Sequence, residues 1–290
     1  MFGRNDWDRQ TLESRVADAG NRVRYPAASP DAAEVGAYGE LLLREFDAAG
    51  WSSPEAHVVV LGMTPELRQR LHEMDCRVSC VDNNRNAVAL YRDWVAPEYQ
   101  GRETIELADW LAYAARARNP VHAFVGDGIL ANVRDVDCCA ELLGQLHRAL
   151  LPGGCCVFRL TALPSCLAEL PSLAGEFIRQ FRQGELDEGE FGFAMRKLGF
   201  IERAYDRERG ILDNAAIYAM LAQMLGDGRL SPEEYAVIQR YFFSGPNLFL
   251  PETVLEKIIT ASGFRLRTHK LTGRHWYRYY SFYVCTRVGC

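Results

Sequence analysis

No stretch of this sequence approaches the roughly 18 consecutive apolar residues of a membrane-spanning helix, so no integral helical membrane protein is expected. The opening residues, MFGRNDWDRQ, are charged and lack an apolar segment, so no secretory signal is expected either. Positive charge is in short supply. Lys+Arg number 33 against 38 Asp+Glu, a formal net charge of −5, which argues against nucleic acid as a partner. Neutralising a phosphate backbone takes a basic face. The nine cysteines include no C-x-x-C spacing. Two adjacent pairs, Cys138-Cys139 and Cys155-Cys156, sit in apolar stretches. That is cysteine used as a small apolar residue in a reduced, cytoplasmic setting, with no ligand spacing for zinc and no metal expected. Internal repeats and low-complexity tracts are missing too. What remains is 290 residues, 48% hydrophobic and 24% charged, enough for a full globular core and for one or two domains.

The chain reads as several segments. Residues 1–54 are expected to be helical, with apolar positions at helical spacing from Asp31 to Glu45; Tyr25 and Tyr38 could cover a ligand as a lid, but packing is the favoured reading. From His57 the pattern changes. His57-Val58-Val59-Val60-Leu61-Gly62 is a short β-branched run ending in glycine, which predicts a buried parallel strand. Thr64-Pro65 then opens a helix to about Glu73. Further strands are predicted at 77–81, 104–107, 121–125 and 155–160, with helices at 84–95, 109–117 and 138–150 between them. This alternation predicts an α/β core over 55–160 with helices on both faces of the sheet. Residues 161–250 read instead as an inserted cap of helices at 174–183, 189–203, 211–225 and 231–242. The α/β pattern resumes over 251–290 with a helix to Ser262 and two strands, 264–271 and 279–287, joined through Thr272-Gly273.

In such sheets ligands sit outside the carboxyl ends of the strands. The loop after the first strand lacks the G-x-G-x-x-G that brings backbone close to a pyrophosphate. It reads Leu61-Gly62-Met63-Thr64-Pro65-Glu66, with one glycine, a proline in place of a donor, and a carboxylate where a phosphate would sit. That disfavours NAD, FAD and ATP and permits a cationic or zwitterionic ligand. Asp82, followed by Asn83, closes the second strand, where a carboxylate accepts both hydroxyls of an unphosphorylated ribose. It is equally suited to capping the next helix. Asp109-Trp110 offers an acceptor for an exocyclic amine and a stacking face, or alternatively a helix cap and a packed aromatic. Asp127-Gly128 closes the fourth strand at the centre of the sheet edge.

Together these residues resemble the class I S-adenosylmethionine-dependent methyltransferases over roughly 55–160 and 250–288. The first motif, Leu61-Gly62-Met63-Thr64-Pro65-Glu66-Leu67, resembles a branch with an LGxTPEL pattern. The resemblance implies a Rossmann-like seven-stranded sheet with a helical insertion ahead of the final helix and antiparallel hairpin. It implies S-adenosyl-L-methionine as cofactor. Gly62 and Met63 would lie near its methionine part, Asp82 on its ribose, Asp109 and Trp110 at adenine, and Asp127 near the sulfonium or its amino-acid end, with Asn83 and Gly128 also among the cofactor-binding residues. The expected activity is in-line methyl transfer to a small-molecule acceptor. Two alternatives stay open: an enzyme that cleaves or cyclises the cofactor without methyl transfer, and a binding protein that has lost catalysis. A proton on the acceptor would call for a base. The densest aromatic and basic cluster, Arg274-His275-Trp276-Tyr277-Arg278-Tyr279-Tyr280, supplies His275 and Tyr277 as candidate catalytic residues beside Asp127, unless it is simply a hairpin whose aromatics pack in cross-strand pairs, the favoured reading for His275. A homodimer is left open.

Overall fold

The computed structural model describes residues 8–117, 119–163, 172–243 and 245–288. The first seven residues, Cys166 and Cys290 lie outside this set, as does the Arg278 side chain. A seven-stranded sheet organises the chain. Its strands are β1 (His57–Leu61), β2 (Arg77–Asp82), β3 (Thr104–Leu107), β4 (Val121–Asp127), β5 (Leu150–Thr161), β6 (Phe264–His269) and β7 (Tyr280–Arg287). They lie in the order β6-β7-β5-β4-β1-β2-β3. Strand β7 runs antiparallel to both neighbours, and the other pairings are parallel. The expected Rossmann-like sheet with its terminal antiparallel hairpin is therefore present. The chain moves outward from β1 to β3 and then restarts on the other side at β4, so the switch point lies between β1 and β4.

The continuous apolar run in β1 follows from burial on both faces. Val58 and Val60 face one core layer, together with Leu42 and Phe46 of the helix Ala32–Ala49 and Leu67 of the helix Pro65–Glu73. Val59 and Leu61 face the other, with Leu142 and Leu146 of the helix Val136–Ala149 and Ile259 of the helix Glu252–Ala261. Each such side chain contributes about 1.5–3 kcal/mol on full burial. Cys155 and Cys156 divide in the same way between the two layers. Burial raises the pKa of both thiols well above the ordinary range, as suits packing residues.

The insertion contributes the helices Ala174–Arg182, Glu188–Lys197, Asn214–Gly226 and Pro232–Gln239 around their own cluster, which includes Phe191, Met195, Leu221 and Ile238. Three expectations need correction. The helix predicted over 189–203 stops at Lys197, and a short helix, Ile201–Ala204, follows it. Gly199 lets the chain fold tightly there, since a Cβ on it would meet the Met195 carbonyl oxygen at 2.7 Å. The insertion also holds a small sheet of Tyr205–Asp206, Ile211–Leu212 and Asn247–Leu248. In the N-terminal segment, expected to be helical, Val16–Asp18 pairs with Val23–Arg24 as an antiparallel ribbon. Strands of two or three residues are too short to show an alternating pattern. Among the described residues, no helix is long and apolar enough to cross a membrane.

Candidate functional site

The carboxyl ends of β1 to β4 open into one cleft with about 880 Å³ of empty space, its mouth included. Gly62, Met63, Asp82, Asn83, Asp109, Trp110 and Asp127 all line it, and Gly128 follows directly. Gly62 turns the chain out of β1 at φ +103°, a conformation that residues with a side chain rarely adopt, and its N–H donates to the Val81 carbonyl at 2.8 Å. Pro65 fixes the start of the following helix.

Asp82 stands at the end of β2. Its Oδ1 accepts from the Asn84 N–H at 2.8 Å, a tight turn that holds the carboxylate in place. Burial raises its pKa to about 6, only partly offset by the N–H groups of Asn84 and Asn83. Asn84, not Asp82, caps the next helix, with Oδ1 accepting from Asn86 and Ala87. Asp109 does act as a cap: its Oδ1 accepts from Leu111 at 3.0 Å and Ala112 at 3.2 Å. Trp110 is oriented by its indole N–H, which donates to the Val81 carbonyl at 2.8 Å.

Asp127 is clamped from the far side. Arg159 on β5 donates to it twice, at 2.7 and 3.1 Å, and also pairs with Glu34 of the helix Ala32–Ala49. Tyr38 on that helix donates to the Gly126 carbonyl at 2.8 Å and accepts from the Arg159 N–H at 2.9 Å. Tyr38 is thus buried framework beneath the site, not a lid.

The negative charge read into the first loop is also revised. Glu66 forms a bidentate pair with Arg24 of the N-terminal ribbon, so its charge is matched and a guanidinium stands at the cleft instead. The candidates in the 274–280 cluster fall elsewhere. His275 and Tyr277 lie on a short 3-10 helix, His275–Arg278, before β7 and do not line the cleft. The His275 backbone N–H donates to Glu190, and its ring packs on Phe177 and Tyr279. The Tyr277 hydroxyl donates to Asp31 at 2.5 Å. From that cluster Tyr280 reaches the working side, with its ring 4.2 Å from the Arg159 guanidinium carbon.

Sequence reasoning missed Arg15, Arg24, Arg159, Arg196 and Lys197. A signal existed for the last pair: two adjacent cations inside the apolar stretch Phe191–Ile201. The N-terminal arginines gave none, because their approach to the cleft is a tertiary contact.

No protein-family model and no curated protein matches the chain by sequence. Solved structures do resemble it. The CcbJ methyltransferase of Streptomyces caelestis is 12% identical, with 98% of this chain and 100% of that chain covered at a TM-score of 0.54. A protein of Bordetella parapertussis described as a possible exported protein is 15% identical, with 97% and 82% covered at a TM-score of 0.51. One from Rhodobacter sphaeroides, described as a putative Zn-dependent alcohol dehydrogenase, is 12% identical, with 84% and 89% covered at 0.51. At these identities the likeness is one of fold, and the fold is the Rossmann-like, seven-stranded sheet of the class I methyltransferases.

Proposed function

We propose that the protein is an S-adenosylmethionine-dependent methyltransferase acting on a small molecule. The observation that carries this reading is Asp82: a buried carboxylate, its pKa raised by desolvation, facing a cleft that has no phosphate-binding loop. Such a group is stabilised by two hydroxyl donors, which an unphosphorylated ribose supplies. The cleft fits the remainder of the cofactor. Trp110 offers an apolar flank for adenine, and Asp109 stands beside it. Gly62 and Met63 bring backbone to the methionine portion. Met63 lines the cleft without filling it.

When bound, S-adenosylmethionine supplies a methyl group on a cationic sulfur. The work of this chain is to hold donor and acceptor in line and to keep water out. Asp127, matched and locked by Arg159, presents a fixed carboxylate edge between the cofactor cleft and the adjoining cavity. His275 and Tyr277 have no part in this arrangement.

Calorimetry with S-adenosylhomocysteine tests the proposal. Micromolar binding that disappears in Asp82→Ala is the expected result. Absence of heat with either S-adenosylhomocysteine or S-adenosylmethionine would sink it. Release of methylthioadenosine from the cofactor without an acceptor would replace methyl transfer by cofactor cleavage.

A further inference from the structure

Beside the cofactor cleft lies a second cavity of about 580 Å³, its mouth included, between the sheet edge and the inserted helices. The two share Arg15, Ala28, Asp127 and Asn132, so one opens onto the other. Its charge is one-sided. Arg15, Arg159, Arg196 and Lys197 line it, and Asp127 is its one lining carboxylate among the described residues. Arg159 is committed to Asp127 and Glu34. Arg196 and Lys197 have no such match: among the described residues neither is in an ion pair.

These two cations close the helix Glu188–Lys197 and are buried, at 8% and 5% exposure. Their heads converge on one neutral acceptor. Arg196 Nη2 and Lys197 Nζ lie 2.7 and 3.4 Å from the Asn247 Oδ1. Asn247 is fixed by donating to the Ala131 carbonyl at 3.2 Å. Aromatic rings wall the pair, with Arg196 5.7 Å from the Phe243 centroid and Lys197 5.4 Å from that of Phe249. Arg196 Nε is buried without a hydrogen-bond partner. Burying like charges without a counter-charge is strongly unfavourable in a folded chain. A cavity that keeps them together is built to receive the missing anion.

We infer that the methyl acceptor is a small molecule bearing an anionic group, a carboxylate or a phosphate, which Arg196 and Lys197 grip through the cavity next to the cofactor. This rests on the methyltransferase reading for the word acceptor; the anion site itself stands on the cavity. The shifts at both groups run the same way: burial pushes Lys197 well down, reinforced by Arg196 and Arg15, and burial pushes Arg196 down. The Arg15 Nη2 anchors on the Phe242 carbonyl at 3.0 Å and adds positive potential at the junction of the two spaces.

The test titrates inorganic phosphate, benzoate and neutral benzamide into the protein, with and without saturating S-adenosylhomocysteine. At least one anion is expected to bind tenfold or more tighter than benzamide, and which one binds distinguishes phosphate from carboxylate. Lys197→Met keeps the apolar stem and removes the charge. It is expected to weaken that anion at least tenfold, to leave S-adenosylhomocysteine affinity within twofold, and to raise the melting temperature of the free protein. The last sign separates relief of repulsion from damage to the fold, and Arg196→Gln is expected to weaken the anion likewise. No preference for either anion over benzamide, or unchanged anion affinity in both variants, overturns the inference. Failure of S-adenosylhomocysteine to bind while the anion binds overturns the methyltransferase reading and leaves the anion site standing.

Discussion

Asp82→Asn should make the free protein more stable and the bound protein harder to form. Burial raises the Asp82 pKa from 3.8 to about 6. A raised carboxyl pKa means that the fold prefers the protonated form. The unfolded chain ionises first as pH rises, so stability falls between roughly pH 4 and pH 6 and the full penalty stands above that. Linkage puts the penalty at about 3 kcal/mol at pH 7.5 and at roughly half that at pH 5. Asparagine keeps an oxygen for the Asn84 N–H and does not ionise. The expected gain is about 1–3 kcal/mol at pH 7.5, falling by about half at pH 5, measured as the shift in urea midpoint at each pH. The same change replaces a charged acceptor for ribose hydroxyls by a neutral one. Charge-assisted hydrogen bonds are worth about 1.5–3 kcal/mol, so S-adenosylhomocysteine should bind roughly 10–100-fold more weakly by calorimetry. A variant that is less stable than the parent at pH 7.5, or that binds S-adenosylhomocysteine as well as the parent, refutes the reasoning.

Two further outcomes concern the frame around the site. Tyr38→Phe keeps the ring but strands the Gly126 carbonyl and the Arg159 N–H, each in a buried position. The expected loss is about 2–4 kcal/mol in urea unfolding, and a change below about 0.5 kcal/mol would show that these groups find other partners. Glu103→Gln leaves the fully buried Arg68 without its counter-charge, since Arg68 otherwise holds Glu103, Tyr91 and Arg92 together. A loss of about 3–5 kcal/mol is expected. Burial pushes the Glu103 pKa up, but hydrogen bonds from His72 and Arg68 and the Arg68 charge outweigh it and hold it at about 2 against 4.5, so this stability is present above about pH 4.5 and disappears as pH falls toward 2. The parent's advantage over Glu103→Gln in urea midpoint should therefore be full at pH 7 and shrink as pH falls from about 4.5 toward 2; coincident urea midpoints at pH 7 would dispose of the argument.

The sequence by itself determined the sheet. Apolar runs such as Val58–Leu61, closed by Gly62 and Pro65, and Cys155–Leu160 need burial on both faces, and only layered helices supply it. The cleft-lining residues Gly62, Asp82, Trp110 and Asp127 were legible for the same reason, because strand ends in such a sheet converge on one edge. Tertiary structure decided the rest. It matched Glu66 with Arg24, locked Asp127 to Arg159, sent His275 and Tyr277 away from the cleft, and drew Arg196 and Lys197 to Asn247. Charge pairing depends on which side chains meet across long sequence separations. Local periodicity holds no record of those meetings, because a carboxylate or guanidinium looks the same in the chain whether its partner is four residues away or over a hundred.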